Sequence, residues 1–343
     1  MPKVSVIVPN YNHAAFLEQR IESILNQTFQ DFEIIYLDDA SNDDSNEVFA
    51  RFSDNPRIHS IFNQSNSGSP FKQWNKGISL AQGQFIWIAE SDDYADRTLL
   101  EKLVKKLDDY PEVGVAYCQS WIVNEEGQQM GNLINETNDV DSVRWKSDFI
   151  NNGINECENY LCIKCTIPNA SAVLFRRSLC ENLDKEIEKF RLCGDWLFWI
   201  KLLLMSDIAF VAEPLNYFRT HSNTCRSTYG KNWLDLEERI DLLNFLTENI
   251  DIPRDTLKNL FQNLLNFYAD YLMYSLKTRL LFRSFEIRRF YRIYKKLYKV
   301  YVTSGDTLDF HIHTEASRIL FLRLLRLKSK LKLQARLKNV LGT

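Results

Sequence analysis

The sequence lacks any apolar run long enough to cross a lipid bilayer. A membrane-spanning helix needs about 20 consecutive apolar residues, and no stretch of the chain approaches that length. The segment from Met1 to Pro9 also lacks the basic start and the small-residue cleavage site of a secretory signal peptide. We therefore expect a protein that works in the cytoplasm.

Cysteine is present, but not in a pattern that supports a disulfide framework. The seven cysteines are an odd number spread over 343 residues, which is typical of free thiols in a reducing compartment. Cys162 and Cys165 form a Cys-x-x-Cys pair just after Cys157, yet no second pair completes the four ligands of a structural zinc site. We interpret these residues as buried or idle thiols, with a metal site as the minor alternative.

Charge is unevenly distributed along the chain. Residues 271–343 contain seventeen Lys and Arg against four Asp and Glu, a balance of +13, which leaves −16 for residues 1–270. The overall composition, 45% hydrophobic and 25% charged, is that of an ordinary folded protein. We infer two differently built regions in one chain.

Strand-like and helix-like patterns alternate through the first region. The predicted strands are Val4–Val8, Phe32–Leu37, Ile58–Phe62, Phe85–Ala89 and Ser171–Phe175, and the predicted helices lie around Leu17–Leu25, Phe71–Leu80, Leu99–Leu107 and Trp196–Met205. Beyond Trp233 the pattern is almost wholly helical. This order predicts an α/β fold, Rossmann-like, with a mostly parallel central sheet and helices on both faces, followed by an α-helical C-terminal region.

Acidic residues follow two of the predicted strands. Asp38 and Asp39 come after the second strand, and Glu90, Asp92 and Asp93 come after the fourth. Ligands of parallel α/β sheets bind at the carboxyl ends of the strands, so these groups should converge on one crevice. Carboxylates are hard ligands that suit Mg²⁺ or Mn²⁺. The alternative is an acidic turn that caps the next helix, but the second acidic pair favours a metal site.

Several segments, taken in order, resemble glycosyltransferase family 2, whose members have the GT-A fold. They are Val4–Asn12 (VSVIVPNYN), Ile35–Asp43 (IYLDDASND), Asn75–Ile78, Ala81–Gly83, Ile88–Asp93 (IAESDD), Asn169–Ser171, Gly194–Trp199 (GDWLFW) and Glu213–His221 (EPLNYFRTH). The resemblance spans about two thirds of the chain. It implies an inverting transfer of a sugar from a UDP-, GDP- or dTDP-linked donor to an acceptor hydroxyl, in the synthesis of surface polysaccharide or another glycan.

The resemblance also implies roles for the residues at the strand ends. Pro9, Tyr11 and Asp39 would line the pocket for the base and ribose, and Asp39 would accept a hydrogen bond from the base. Asp92 would lie near the ribose and the diphosphate, and Asp93 would coordinate Mg²⁺ or Mn²⁺. Such an ion offsets the charge of the departing diphosphate.

Further donor-site residues are implied with less detail. Asn75 and Arg226 would contact the donor, and His221 would complete the metal shell. Glu90 stands where relatives often have Asp, and its longer side chain would move the carboxylate out of the ion's inner shell. His13 adjoins the first motif, and its expected role is to cap the following helix.

Asp195 is the predicted general base. A sugar hydroxyl needs a carboxylate within hydrogen-bond reach to take its proton during transfer. The alternative role for Asp195 is a helix N-cap, for which Asp is a favoured residue. Relatives often have Glu-Asp at this point, whereas this chain has Gly194 before Asp195, which leaves one candidate base.

Three more residues are possible site members. Asn169 and Ser171 would contact the acceptor or the donor sugar. Trp196 is open to two interpretations, since an indole can stack on a sugar face or pack in the core. The acceptor is expected to be a glycan or a lipid-linked glycan.

The resemblance implies a division of the chain into domains. Residues 1–232 would form the GT-A catalytic domain, with a nucleotide-binding half at 1–118 and an acceptor or catalytic half at 119–232. Residues 233–343 would form the basic helical region. Within it, leucines recur near helical period among Lys and Arg over residues 320–341, a pattern that suits an anionic membrane surface. Packing on the catalytic domain or a homo-oligomer is the alternative.

Two other classes of protein are disfavoured. Nucleic-acid binding is not expected, because the sequence has basic charge but no stacking or base-reading module. A nucleotidyltransferase would need a glycine-rich phosphate loop that the N-terminal segment lacks. The remaining alternative is a catalytically silent nucleotide- or carbohydrate-binding protein of the same fold.

Overall fold

The structure is a computed structural model that describes residues 1–181, 185–221, 233–277, 292–293, 295–297 and 299–300. The chain divides into two compact units, Met1–Asp235 and Leu236–Thr343. The domain boundaries at 118/119 and 232/233 stay predictions.

Strands and helices alternate through the first part of the chain, as the sequence pattern predicted. The strands are β1 Val4–Asn10, β2 Phe32–Asp38, β3 Ile58–Phe62, β4 Phe85–Ile88, β5 Tyr94–Ala95, β6 Val113–Val123, β7 Gln129–Asn132, β8 Phe149–Asn151, β9 Val173–Arg176 and β10 Asp207–Arg219. The helices are α1 Ala14–Leu25, α2 Ser45–Ala50, α3 Pro70–Leu80, α4 Leu99–Asp109, α5 Gly153–Glu156, α6 Gly194–Leu203, α7 Trp233–Asn249 and α8 Arg254–Lys277. The predicted fold class, mixed α/β with a helical C-terminal region, is confirmed.

The central sheet has the strand order β3-β2-β1-β4-β9-β6-β10-β5, with β7 paired to β6 and β8 paired to β10. The first four strands in this order are parallel, and so are β6 and β10. Strand β9 runs antiparallel to both of its neighbours, β4 and β6. Strand β9 therefore joins the parallel strands β3, β2, β1 and β4 to the second half of the sheet.

The core explains which segments become strands. Every residue of β1 and β2 is buried, as expected for central parallel strands covered by helices on both faces. Helix α1 turns Leu17, Ile21 and Ile24 toward the sheet. Strand β1 continues through Pro9, which pairs in register with Leu37. Ser171 lies in the turn before β9 rather than in the strand.

Among the described cysteines, none is in a disulfide. Cys157 and Cys162 are buried, and the Cys162 Sγ contacts the carbonyl of Glu158. The group of possible metal ligands that the described residues contain does not include a cysteine. Cys157 and Cys162 are therefore buried free thiols, whereas Cys165 is half-buried.

In the second unit, acidic side chains of α7 pair with basic side chains further along the chain. Arg292 contacts Glu237 at 3.1 Å, Lys296 contacts Asp241 at 2.5 Å, and Lys299 contacts Glu248 at 2.7 Å. The first two pairs are partly buried and the third is exposed; an exposed pair contributes at most about 1 kcal/mol. The leucine-rich segment proposed for a membrane surface lies outside the described residues. No helix in the described part of the chain is long and apolar enough to span a membrane.

Candidate active site

The carboxyl ends of β1, β2 and β4 lie side by side, because β1 pairs with both other strands. Just past β1 and β2, the amide of Asp39 donates to the carbonyl of Asn10 at 2.9 Å. The segment Glu90–Asp93 follows β4. The acidic groups predicted at separate strand ends thus face one edge of the sheet, where ligands of such folds bind.

Asp93 is buried, and both of its carboxylate oxygens accept hydrogen bonds from the protein. Asn169 Nδ2 donates to Oδ2 at 3.1 Å, and the backbone amide of Arg219 donates to Oδ1 at 2.9 Å. Burial and the charge of Asp92 raise the pKa of Asp93 to about 6, while the Arg20 guanidinium acts in the opposite direction. Asn169 is therefore in direct contact with the acidic segment that follows β4.

Glu90 is held between helix α3 and the turn before β9. Trp74 Nε1 donates to Glu90 Oε1 at 2.7 Å, and the Glu90 amide donates to Ser171 Oγ at 3.1 Å. Burial raises the pKa of Glu90 to about 8; the charge of Asp92 adds to this rise and the Trp74 hydrogen bond opposes it. A protonated, hydrogen-bonded Glu90 is a poor ligand for a cation near neutral pH.

One group in the described part of the chain is compact enough to hold a metal ion. His13, Asp92 and His221 each offer a ligand atom, and these atoms lie within 4.8 Å of one another. His221 Nε2 is 3.0 Å from Asp92 Oδ2, and the two imidazole rings meet edge-on with centroids 5.5 Å apart. His13 occupies the N-cap position of α1, but its ring makes no capping hydrogen bond. Instead, His13 Nδ1 is 2.9 Å from Ser91 Oγ.

The surroundings shift the pKa of each of the three groups. The hydrogen bond to Asp92 raises the pKa of His221. Burial alone would raise the pKa of Asp92, but the hydrogen bond to His221 and the nearby charge of His13 outweigh it, so this pKa is lowered. Burial lowers the pKa of His13. Since the pKa of Asp92 lies below its ordinary value of 3.8, Asp92 is an anion at neutral pH.

Arg20 lies beneath the acidic cluster and is completely buried. Its Nε donates to the carbonyl of Glu90 at 2.8 Å, and its guanidinium lies 5.2 Å from the centre of the Trp87 ring. Both terminal nitrogens lack a hydrogen-bond partner among the described residues. Burial lowers the pKa of Arg20 to about 10, against the charges of Asp93, Asp92 and Glu90. It remains a cation that balances the carboxylates.

Arg219, at the end of β10, fixes the loop segments around the site. Its side chain is buried and donates to the carbonyls of Asp92, Asn124 and Glu125 at 2.8, 3.0 and 2.7 Å. The guanidinium also lies 4.6 Å from the centre of the Phe16 ring. Arg219, two residues before His221 in the sequence, thus holds the backbone of Asp92 in place.

Asp39 organises the segment between β3 and α3. Its Oδ1 accepts hydrogen bonds from Asn63 Nδ2, the Ser67 amide and Gln73 Nε2 at 2.6, 2.9 and 2.9 Å. Its Oδ2 accepts from Ser67 Oγ at 2.8 Å. The residue is 5% exposed. Asp39 thus fixes the wall of the predicted base pocket through its own side chain.

The other residues predicted for the donor differ in how far the structure describes them. Pro9 is buried in β1, whereas Tyr11, just beyond the strand, is 44% exposed. Ala40 has a φ of 61°, a left-handed conformation that costs a residue with a Cβ about 1–2 kcal/mol. Asn75 donates to Glu188 Oε1 at 2.8 Å, so its amide is used within the protein. Arg226 lies outside the described residues.

Asp195 is the second residue of α6. It is therefore in the first helical turn, and the N-cap position predicted as its alternative role belongs to Cys193. A Cβ on Gly194 would lie 2.5 Å from the Phe71 ring, so a side chain at this position would crowd the contact between α6 and α3. Trp196 is 6% exposed and donates to the Leu161 carbonyl at 2.8 Å. It packs in the core and does not present a face for sugar stacking.

The residues present fit a divalent cation. A carboxylate and two imidazoles are a known ligand set for such ions. The structure pairs His221 with Asp92, while the oxygens of Asp93 accept from Asn169 and Arg219. The assignment of Asp93 as a ligand therefore stays a prediction, and Asp92 and His13 become further candidates.

Sequence reasoning missed the two arginines and the position of His13 beside Asp92 and His221. Arg20 had a visible signal, because it is a charged residue on the apolar face that Leu17, Ile21 and Ile24 define. For Arg219 the sequence offered no signal except its place in the EPLNYFRTH segment. Its contacts depend on the end of β10 lying next to the turn after β4, which no local pattern reveals.

Comparison with known proteins shows the family to which the chain belongs. Residues 5–183 match the profile of glycosyl transferase family 2. Glycosyltransferase GlyG of Streptococcus pneumoniae is 38% identical over 104 residues, 30% of this chain and 35% of the relative. The GalNAc(5)-diNAcBac-PP-undecaprenol beta-1,3-glucosyltransferase of Campylobacter jejuni is 34% identical over 152 residues, 44% of this chain and 48% of the relative. The chain thus spans from a third to a half of the length of these curated relatives.

Solved structures share the fold at low sequence identity. Residues 1–349 of S. aureus TarS, in complex with UDP-GlcNAc, have a TM-score of 0.61 and 18% identity, covering 87% of this chain and 81% of that TarS chain. The mannosyltransferase PcManGT from Pyrobaculum calidifontis, in complex with GDP-Man and Mn²⁺, has a TM-score of 0.52 and 15% identity, covering 88% and 86%. The family profile covers more than half of the sequence, and the chain belongs to glycosyl transferase family 2.

Proposed function

We propose that this protein is a metal-dependent, inverting glycosyltransferase that moves a sugar from a nucleotide-diphosphate donor to an acceptor hydroxyl. The observation that carries the proposal is the cluster of His13, Asp92 and His221, whose ligand atoms lie within 4.8 Å of one another at the carboxyl edge of the sheet. A Mg²⁺ or Mn²⁺ ion held there would offset the negative charge of a diphosphate.

The donor would lie across the ends of β1, β2 and β4. Its base and ribose would contact the wall that Asp39 fixes, with Pro9 and Tyr11 beside it. Its diphosphate would lie near Asp92, with Asp93, Asn75 and Arg226 as the other proposed donor contacts. UDP-, GDP- and dTDP-sugars are all candidates. TarS was solved with UDP-GlcNAc and PcManGT with GDP-Man, so both nucleotide classes belong in a donor screen.

The reaction needs one displacement at the anomeric carbon. Asp195 would take the proton of the acceptor hydroxyl. The acceptor oxygen then forms the new bond to the anomeric carbon while the bond to the diphosphate oxygen breaks on the opposite face. The nucleoside diphosphate leaves with the bonding electrons, and the configuration inverts. Ser171 and Asn169 would lie close to the transferred sugar, since both contact the Glu90–Asp93 segment.

The test is hydrolysis of a panel of nucleotide sugars, with Mn²⁺, with Mg²⁺ and with EDTA. We expect turnover of at least one donor that EDTA abolishes. Asp195→Asn should lower the rate about 10²–10⁴-fold without weakening UDP or GDP binding. Asp109→Asn, at the C-terminal end of α4, is the matched control and should keep the wild-type rate. Donor binding without turnover under any condition would favour the catalytically silent binding protein.

The acceptor is proposed to be a glycan or a lipid-linked glycan in surface polysaccharide synthesis. The Campylobacter jejuni relative is named for an undecaprenol-linked acceptor. The basic balance of residues 271–343 suits the anionic inner face of a membrane, which makes a cytoplasmic, peripheral location part of the proposal. Deleting residues 315–343 should abolish binding to anionic liposomes and leave donor hydrolysis intact. Unchanged liposome binding would leave a packing or homo-oligomer role for this region.

A further inference from the structure

We propose that His13 is a ligand of the divalent ion and that the ion site consequently selects a first-row transition metal over Mg²⁺. This inference rests on the proposed function, because it concerns the same ion. It goes further in naming a third ligand and the class of metal that the site takes.

The position of His13 supports the first part. Its ring lies 5.5 Å from that of His221 at an angle of 87°, and ligand atoms from both rings and from Asp92 lie within 4.8 Å of one another. Bonds from such an ion to nitrogen or oxygen are about 2.0–2.2 Å long. Small movements of the side chains would therefore let one ion reach all three groups.

The surroundings hold the His13 ring in this position. Ser91 Oγ lies 2.9 Å from Nδ1, and Phe16 packs 6.3 Å from the imidazole centroid. Ser91 is 1% exposed, so this partner is itself fixed. Buried hydrogen-bond partners of this kind orient metal-binding histidines. The usual alternative, a helix cap, does not apply to the side chain, since the His13 ring makes no capping hydrogen bond.

The ligand set supports the second part. Mg²⁺ prefers oxygen ligands in near-octahedral geometry and loses its water molecules reluctantly. Imidazole nitrogen suits transition metals, and affinity for a given site rises from Mn²⁺ to Co²⁺. With His13 and His221, two of the three groups are imidazoles. Asp93, which would add an oxygen ligand, accepts hydrogen bonds at both oxygens.

The experiment measures ion binding directly on the full chain, with and without UDP. Binding of MnCl₂ is followed by the loss of the free-ion electron paramagnetic resonance signal, and MgCl₂ and CoCl₂ are used as competitors. For the wild type we expect Mn²⁺ to bind at least about tenfold more tightly than Mg²⁺, and Co²⁺ more tightly than Mn²⁺. Pulsed measurements on bound Mn²⁺ should detect nitrogen from two imidazoles.

His13→Ala should weaken Mn²⁺ and Co²⁺ binding by about tenfold or more, change Mg²⁺ binding little, and leave nitrogen from one imidazole. His59→Ala is the matched control, because the His59 side chain is 62% exposed on β3. Unchanged Mn²⁺ affinity in His13→Ala, equal wild-type affinity for Mg²⁺ and Mn²⁺, or no ion binding with or without UDP would each overturn the inference. Ion binding that depends on His13 while no donor is turned over would contradict the proposed function alone.

Discussion

Arg20 and Glu90 are joined inside the fold by a 2.8 Å hydrogen bond from the guanidinium Nε to the backbone carbonyl. The side chain that makes it is fully buried on the core-facing side of α1. It places a cation directly under the turn that carries the carboxylates. A buried cation of this kind is costly by itself and is tolerated because anions surround it.

Arg20→Met should therefore destabilise the protein. Removing one partner from a buried charge cluster costs about 3–5 kcal/mol, because the remaining charges lose their compensation. Urea unfolding with EDTA present measures the free energy of unfolding. Added MnCl₂ should restore part of the lost stability, since an ion replaces the missing positive charge.

The control for this prediction is Arg51→Met. The Arg51 side chain is 61% exposed and pairs with Glu18 at 2.8 Å, so its loss should cost at most about 1 kcal/mol. Equal unfolding midpoints for the two variants would contradict the role given to Arg20.

Stability without metal should fall as the pH rises from 7 to 9. The pKa of Glu90 in the folded protein is about 8, above its ordinary value of 4.5, so the folded state keeps a proton that the unfolded chain has lost. The stability linked to this proton is complete below the ordinary pKa of 4.5, and it is lost as the pH rises through the folded-state pKa of about 8. The raised pKa of His221 acts in the same direction. Asp93, whose pKa is about 6, has lost its proton at the start of this window.

Glu90→Gln isolates this effect. The amide cannot ionise, so thermal unfolding in EDTA should show a flatter dependence on pH between 7 and 9 than for the wild type. Glu22→Gln, an exposed residue of α1, should leave the slope unchanged. A steep slope that survives in Glu90→Gln would assign the titration to another group.

Gly194→Ala tests the contact between α6 and α3. In an ordinary helix, alanine in place of glycine stabilises by about 1 kcal/mol. Here the new Cβ would lie 2.5 Å from the Phe71 ring, and overpacking of a core costs about 1–3 kcal/mol. We expect a net loss in the free energy of unfolding, which Phe71→Leu in the same chain should partly reverse.

Gly131→Ala is the matched control for that substitution. A Cβ at this position has no neighbouring atom within 4 Å, so its effect on unfolding should be small. A stabilised Gly194→Ala variant would show that the Phe71 ring can move away at little cost.

Local sequence patterns predicted the fold and the position of the acidic groups well. Strand β3 was predicted with its observed ends, and β1, β2 and β4 were placed to within two residues, because buried parallel strands leave continuous apolar runs. Local patterns could not show which side chains contact one another in the site, since these contacts join segments that are far apart in the sequence. His13 meets His221, and Arg20 lies under Glu90, only because the strand order β2-β1-β4 and the end of β10 bring them together.

Residue preferences alone left two interpretations open at single positions. Trp196 was open to a sugar-stacking role because indoles often bind sugars, yet its burial follows from its position on a helix whose other residues are nearly all buried. Asp195 was a possible N-cap, but the helix begins one residue earlier, at Gly194. Helix ends are set by hydrogen bonding and packing that a residue preference cannot resolve.

Asp39→Asn tests whether this carboxylate contacts the nucleotide directly or instead holds the segment from Asn63 to Gln73 in place. In the structure Asp39 accepts hydrogen bonds from Asn63, Ser67 and Gln73. An amide in its place offers fewer acceptor sites and brings its own N–H groups against these donors. Leaving a buried donor without a partner costs about 1–3 kcal/mol. We therefore expect lower stability and faster hydrogen exchange at the Ser67 amide, measured by mass spectrometry or NMR.

Weaker UDP binding should accompany these changes, because the wall of the base pocket loses its anchor. Asp44→Asn, an exposed residue next to α2, is the control and should alter none of the three measurements. If Asp39→Asn loses UDP affinity while exchange at Ser67 and stability stay as in the wild type, the carboxylate acts through direct contact with the nucleotide. If all three change together, its primary role is to hold the segment from Asn63 to Gln73 in place.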